Sequence, residues 1–313
     1  MKKLNRLIRG KPSAILSADW HIRASKPVCR TDTFLIAQES KVEFIVELAK
    51  KYECPILVSG DLGNNPQWAN WLLRWFIWIT EGVDIITIPG QHDLPNHRLK
   101  DVEKSGIGVL GESKTIKLIG TQQREIPEII GVANHWVVPF PFGCPISTIE
   151  YEKPDEPMVA MTHQMIIEDQ SLWDGQIAPS GHSILKKFPE YKLILSGDNH
   201  NPFVSKYKGR LLVNPGPIMR TTADQIDYKP RVYLWYADTN TVKPVFLPIE
   251  EGVVSRDHID IEEERDTIME AYVSHMATDY EIGFSYEVNL ERHIEANEID
   301  DEVADRAWEF TAS

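Results

Sequence analysis

The sequence predicts a layered α/β domain. Short apolar runs of strand length, SAILSA (13–18), CPILVSGD (54–61) and VDIITI (83–88), alternate with stretches of helical period, ESKVEFIVELAKK (39–51) and residues 66–80. The runs stop at Gly, Pro or polar clusters, as strands do when they give way to a turn. The chain of 313 residues suffices for one large domain or two smaller ones, with a core that needs no disulfide staples.

The elements follow in order. Strand 13–18 runs into Asp19-Trp20-His21, and strand 54–61 stops at Gly60-Asp61. Helix 66–80 has Pro66 near its first turn, where proline is tolerated. Strand 83–88 ends in Pro89-Gly90-Gln91-His92-Asp93. Residues 108–119 and 128–142 read as strands with turns, and 158–166 as a strand carrying His163. A loop and short helix fill 167–189; a strand then leads into Gly197-Asp198-Asn199-His200. Residues 209–218 are a strand and a Pro-Gly turn, and 231–236 with 242–249 form a hairpin. There is no internal repeat and no low-complexity tract.

Charge divides the chain. Residues 251–313 hold 19 of the 47 acidic residues and 4 of the 33 basic ones, so the net charge of −14 sits there and the larger part is near neutral. We therefore read residues 1–250 as the main domain and 251–313 as an acidic helical extension: a small cap, a docking arm for a partner, or a solubilising tail. The global charge neither supports nor excludes a nucleic-acid partner. Cys29, Cys54 and Cys144 form no CxxC pair and no even set, which argues against a disulfide framework. No apolar run is long enough to cross a membrane, and the basic start lacks a signal-peptide core. The expectation is a soluble, cytoplasmic protein without a membrane partner.

Five polar clusters share one context, each after an apolar run that reads as a strand: Asp19-x-His21, Gly60-Asp61, Gln91-His92-Asp93, His163 and Asp198-x-His200. In layered α/β folds the carboxyl ends of strands are where ligands gather. One such cluster is an ordinary polar turn; five in sequence predict a divalent-metal site. Two cations ~3.5–4 Å apart need a bridging carboxylate with His and Asp ligands on either side. Asp61, alone at the end of its strand, is the natural bridge. Mixed His and carboxylate ligands suit Mn, Fe, Zn or Co better than Ca or Mg.

The order D-x-H, GD, G-x-H-D, a lone His and G-x-x-H resembles the calcineurin-like metallophosphoesterases. SADWHI, PGQHDLPNH, LSGDNHNPF and LVNPGPIMRTTADQIDYKPRVYLW resemble the DNA-repair nucleases of the SbcD type, particularly the forms of large phages, over residues 13–250. The resemblance implies a four-layer fold, two mixed β-sheets sandwiched between helices. It implies that Asp19, His21 and His200 hold one metal, that Gln91, His163 and Asp198 hold the other, and that Asp61 bridges. His92 would act at the scissile phosphate, protonating the leaving oxygen or stabilising the transition state, with Asp93 orienting its ring. The implied activity is phosphodiester hydrolysis of DNA as exonuclease or endonuclease, in repair or recombination, beside an SbcC-like ATPase. A phage-encoded form would work in the host cytoplasm.

Three positions depart from the family pattern. Gln91 stands where Asn is usual, Asp198 where His is usual, and Asn64 where many of these nucleases carry a His. The first two make the second metal site richer in oxygen, which favours Mn²⁺ or Mg²⁺. They also keep open a non-catalytic interaction module; the other alternative, a phosphatase or phosphodiesterase of small nucleotides, would be favoured by a narrow pocket with no long groove. His92 and Asp93 argue against the module.

Trp68, Trp71, Trp75 and Trp78 recur at helical spacing, so they either pack the helix onto the sheet or form a subunit contact. The resemblance implies a homodimer through this helix. Asn64, His97 and Arg220 are candidate substrate contacts. His135 is placed in the groove by its position beside Trp136, and His182 at a helix start.

Overall fold

Strand composition explains the architecture. In β1 (Ala14–Ser17), β2 (Ile56–Val58) and β3 (Ile85–Thr87) every residue is buried. Continuous apolar strands of this kind require cover on both faces. Alternate side chains supply it: Ile15, Ile56 and Val58 join a core with the helices, while Leu16, Leu57 and Ile86 face a second sheet. The second sheet repeats the scheme, with Val159, Met161, Leu193 and Leu195 facing the first and Ala160 and Ile194 facing outward. The structure, a computed structural model, describes residues 9–121, 129–149, 156–169, 177–259, 261, 265–271, 273, 286–297 and 299–311.

The first sheet has the order β12-β11-β1-β2-β3-β4, adding β4 (Lys117–Leu118), β11 (Arg231–Tyr236) and β12 (Thr241–Phe246). β1 to β4 are parallel, and β11 is antiparallel to both β1 and β12. The second sheet has the order β5-β6-β7-β8-β10-β9: β5 (Ile130–Val132), β6 (His135–Phe140), β7 (Met158–His163), β8 (Tyr191–Gly197), β9 (Phe203–Tyr207) and β10 (Arg210–Asn214). Here β6, β7, β8 and β10 are parallel and the two edges antiparallel. Helices α1 (Phe34–Tyr52), α2 (Asn70–Ile79) and α3 (Gly106–Glu112) cover the first sheet, and α4 (Gly181–Lys187) covers the second. Two mixed six-stranded sheets thus lie between helical layers.

The chain divides into two compact units, Met1–Ser255 and Arg256–Ser313. The second contains α5 (Tyr286–Ala296) and α6 (Asp301–Thr311). Residues 1–8, residues 170–176 of the expected 167–189 loop, and much of the periodic segment 261–276 lie outside the described residues. Among the described residues no helix is long and apolar enough to cross a membrane.

Three expectations are corrected. Residues 108–119 are not one strand: α3 occupies 106–112, and only Lys117 and Leu118 pair. Ser105 caps that helix, its hydroxyl accepting from Gly108 N, and Ile107 and Leu110 bury one face. Helix α2 starts at Asn70, not residue 66. Its tryptophans also do not share one environment. Trp68 precedes the helix and is buried edge-on to Phe76, Trp75 is half-buried, and Trp71 and Trp78 are 50% and 65% exposed. The buried stripe of α2 is Leu72, Phe76 and Ile79.

Candidate metal centre

The parallel strands β1, β2, β3, β7 and β8 end beside one another across the two sheets, and their ends carry the site. Beyond β1 and β2 the two chains continue side by side: Asp19 N donates to Gly60 O (3.2 Å), His21 N to Asp61 O (3.0 Å) and Ile22 N to Leu62 O (2.9 Å). Trp20, between the two ligands, points the other way, buried against Phe76 with its indole N–H on Ser17 Oγ (2.7 Å). Asp19, His21, Asp61 and Asp198 all have positive φ, from 46° to 78°. Such backbone costs a non-glycine residue ~1–3 kcal/mol and gathers at functional sites. Gly60 and Gly90 allow the loops to close: a Cβ on Gly60 would strike the His163 ring, and one on Gly90 the Asp61 carboxylate.

Asp61 is the centre of the cluster. Its Oδ1 accepts from His92 N (2.8 Å). Its Oδ2 lies 3.2 Å from His163 Nε2 and 3.9 Å from His21 Nε2, with no hydrogen-bond partner. His21 Nε2 faces His200 Nε2 at 3.2 Å. Two nitrogens bound to one ion at about 2.1 Å stand roughly 3.0–3.4 Å apart, so this pair fits a shared cation. His163 Nδ1 donates to Ser59 O (2.7 Å), which leaves Nε2 as the ligand atom. Three groups have ligand atoms within 4.8 Å of one another: Asp19, His21 and His200; Asp19, Asp61 and His163; and His21, Asp61 and His92.

Gln91 and Asp198 meet as a pair. Gln91 Nε2 donates to Asp198 Oδ1 (2.7 Å), and Gln91 Oε1 is left buried without a partner. Asp19 Oδ2, Asp61 Oδ2 and His163 Nε2 are likewise buried and unpartnered. Leaving such atoms unsatisfied costs ~1–3 kcal/mol each. Four in one cleft, all oxygen or imidazole nitrogen, are the donor set that divalent cations take.

The electrostatics agree. Burial, opposed by His163 and reinforced by Asp61, holds Asp19 well above the usual carboxylate range. Burial would also raise Asp61, but His163 and His21 outweigh it and hold it low. Burial works against charge on His163, yet Asp61, Asp19 and Asp198 push it up to about 10. Burial drives His21 down to about 3. Protein charges alone leave these carboxylates and imidazoles in conflict; bound divalent ions would resolve it by favouring carboxylate and neutral imidazole together.

The expected partner of His92 is corrected. Asp93 does not orient its ring. The Asp93 carboxylate accepts from Gly63 N (2.8 Å), Gly90 N (3.0 Å) and Leu62 N (3.2 Å), tying the loops after β2 and β3 together. The His92 ring is held by Asn64, whose carbonyl accepts from Nδ1 (3.1 Å). Arg220, expected to meet phosphate, is buried and donates to the carbonyls of Ile226 (3.0 Å) and Glu250. His135 is buried against Trp235, its Nδ1 on Ala133 O (2.9 Å), rather than in the groove. His97 lies at the lip of the site and donates from Nδ1 to Gln91 O (3.1 Å).

No family model matches the chain. No curated protein matches it either. Solved structures that align with it include an archaeal phosphodiesterase (11% identity, 75% of this chain and 99% of that one, TM-score 0.40). The protein TT1561 of Thermus thermophilus aligns at 13% identity over 76% and 100% of the two chains, with a TM-score of 0.44. A phosphopantetheinyl hydrolase of Mycobacterium tuberculosis aligns at 12% identity over 76% and 97%, with a TM-score of 0.43. Likenesses this distant carry no argument about chemistry, which rests on the residues themselves.

Two residues of the site were not foreseen. Arg23 donates from Nη1 to Asn64 Oδ1 (3.4 Å) and from Nη2 to Ser25 Oγ (3.2 Å); its buried Nε has no partner, and no carboxylate among the described residues pairs with it. Its place two residues after His21 was the available signal. Ser59, fully buried, sends its hydroxyl to Thr162 O (2.8 Å) and Leu195 O (3.0 Å), cross-linking the sheets at the site. It stands directly before the Gly-Asp pair, but a serine in a strand end carries no signal alone.

Proposed function

We propose that the chain hydrolyses phosphodiester bonds of DNA with two divalent cations, Mn²⁺ from its ligand chemistry. In this reading it is the nuclease subunit of a repair or recombination assembly with an SbcC-like ATPase. The observation that supports the chemistry is Asp61 Oδ2: buried, without a hydrogen bond, and lying between His163 Nε2 (3.2 Å) and His21 Nε2 (3.9 Å), where a bridging carboxylate would stand. Asp19, His21 and His200 would hold one cation, and Gln91, His163 and Asp198 the other. Such a pair would supply positive charge to the phosphoryl oxygens and lower the pKa of the attacking water. The choice of DNA is supported by the sequence resemblance over residues 13–250.

The protein's own groups do the rest. Asn64 O holds the Nδ1 proton of His92, which leaves Nε2 for the substrate; only a ring protonated on both nitrogens would give its Nε2 proton to the departing 3′-oxygen. Asp93 keeps the two ligand loops in register through three backbone N–H groups. Arg23 offers a guanidinium to a neighbouring phosphate of the strand. The test is cleavage of linear DNA with Mn²⁺ by the wild type and His92→Ala. We expect cleavage by the wild type and a loss of ~10²-fold or more in the variant. A wild type that leaves DNA intact overturns the reading; a clean variant that still cleaves overturns the role of His92.

A further inference from the structure

A cavity of about 260 Å³ adjoins the metal centre. Its walls include Phe142 and Pro145 from the turn after β6, and Gln164 and Met165 from the loop after β7. His163 and Asp198 line it too, so whatever fills it touches the second set of metal ligands. The Phe142 wall is braced. Phe142 N donates to Pro89 O (3.0 Å), Cys144 N closes the turn onto Pro141 O (2.9 Å), and the Phe142 ring lies 6.3 Å from that of His97.

The lining selects a class of ligand. It contains an aromatic ring, a thioether and a proline ring, with one amide, and no Lys or Arg. Beyond the metal ligands His163 and Asp198, the lining offers no charged side chain to a second phosphate. A flat uncharged ring with a polar edge suits the lining: the face stacks on Phe142 and Met165, and the Gln164 amide can both donate and accept. The volume lies just below the ~300–1,000 Å³ of sites for drug-sized ligands and accommodates one base, whose hydrogen-bonding edge would turn to the Gln164 amide instead of a pairing partner.

We propose that this cavity takes the single nucleobase next to the scissile phosphate, so that the enzyme acts on a nucleotide unit whose base is unpaired. This rests on the phosphodiesterase reading above. The unit is either the frayed end of a strand or a free nucleotide ester, and both present the same chemistry to the cavity.

The test compares a single-stranded oligonucleotide with the same strand made abasic at one terminal residue, the 5′ and 3′ ends in turn, with Mn²⁺ present. Stacking of a base is worth a factor on the order of ten in kcat/KM. The expected result is that loss of the base at one end slows cleavage there by that factor. Phe142→Ala and, separately, Met165→Ala should pull the intact-to-abasic ratio toward one; two variants guard against one that fails to fold. Equal rates for intact and abasic ends in the wild type overturn the proposal, as does a ratio that both folded variants leave unchanged. Methyl p-nitrophenyl phosphate, which carries no base, separates the two readings. No turnover of it and none of DNA sinks the phosphodiesterase reading, whereas turnover without base dependence sinks the cavity alone. The p-nitrophenyl ester of thymidine monophosphate, assayed beside the oligonucleotide, shows which source is preferred.

Discussion

Ser59 has one hydroxyl hydrogen and two carbonyls within its reach, Thr162 O and Leu195 O. Its own carbonyl accepts from His163 Nδ1. One residue of the first sheet therefore holds both the strand that carries His163 and the strand that leads to Asp198. Groups that orient metal ligands typically matter 10–100-fold to affinity. We expect Ser59→Ala to weaken Mn²⁺ binding by about tenfold, measured by calorimetry on metal-stripped protein. An unchanged affinity would show that the cross-link does not set the ligand spacing. The residue scale also shows what a sequence can mark. Asp19, His21, Asp61, His163 and His200, which the structure brings together, and Gln91 and Asp198, which meet as a pair, are each a polar residue at the end of an apolar run. Asp93 was misassigned because its partners are backbone N–H groups of Leu62 and Gly63, some thirty residues away, and main-chain donors leave no mark in a sequence.

At the scale of the element, α1 carries an anomaly on its buried face. Phe34, Gln38, Lys41, Val42, Ile45 and Ala49 follow the helical repeat, and Lys41 is a buried cation among them. Burial, then repulsion from Arg30 and Arg220, brings Lys41 down to about 8, against the pull of Asp32. The unfolded chain binds this proton up to its ordinary value of 10.5, so it holds more protons than the native state between about pH 8 and 10.5. Stability must therefore rise with pH across that window. Lys41→Met should stabilise the protein at pH 7 by on the order of 2 kcal/mol, with the gain vanishing near pH 10.5. Thermal unfolding at several pH values checks this, and a gain independent of pH would contradict it. On α2, Trp71, Ile77 and Trp78 remain exposed although the helix is apolar nearly all round. In the dimer reading they meet a second copy. The expected solution mass is that of two chains, falling to one in Trp71→Ser/Trp78→Ser. A wild-type monomer at working concentration would count against the contact. The apolar periodicity of α2 was readable, but which tryptophan the core would take was not, since Trp68 is buried through contacts with Gly63, Gly106 and Phe76.

At the scale of the whole molecule, each sheet contributes an incomplete half of the site. The first supplies Asp19, His21, Asp61 and Gln91 from its strand ends; the second supplies His163, Asp198 and His200. Layered alternation was legible from strand composition, and so was the segregation of acidic charge into the C-terminal segment. The facing of two carboxyl-terminal edges was not, because nothing local records which strands share a sheet. Metal binding should join the halves and stabilise the fold by mass action. The most direct test of the central claim is to strip the protein of metal and titrate Mn²⁺ back while following phosphodiester turnover, for the wild type and Asp61→Asn. The account predicts two cations bound per wild-type chain, turnover that appears as both sites fill, and loss of both turnover and the two-cation stoichiometry in Asp61→Asn. Full turnover by the metal-stripped wild type, or by Asp61→Asn, would contradict it.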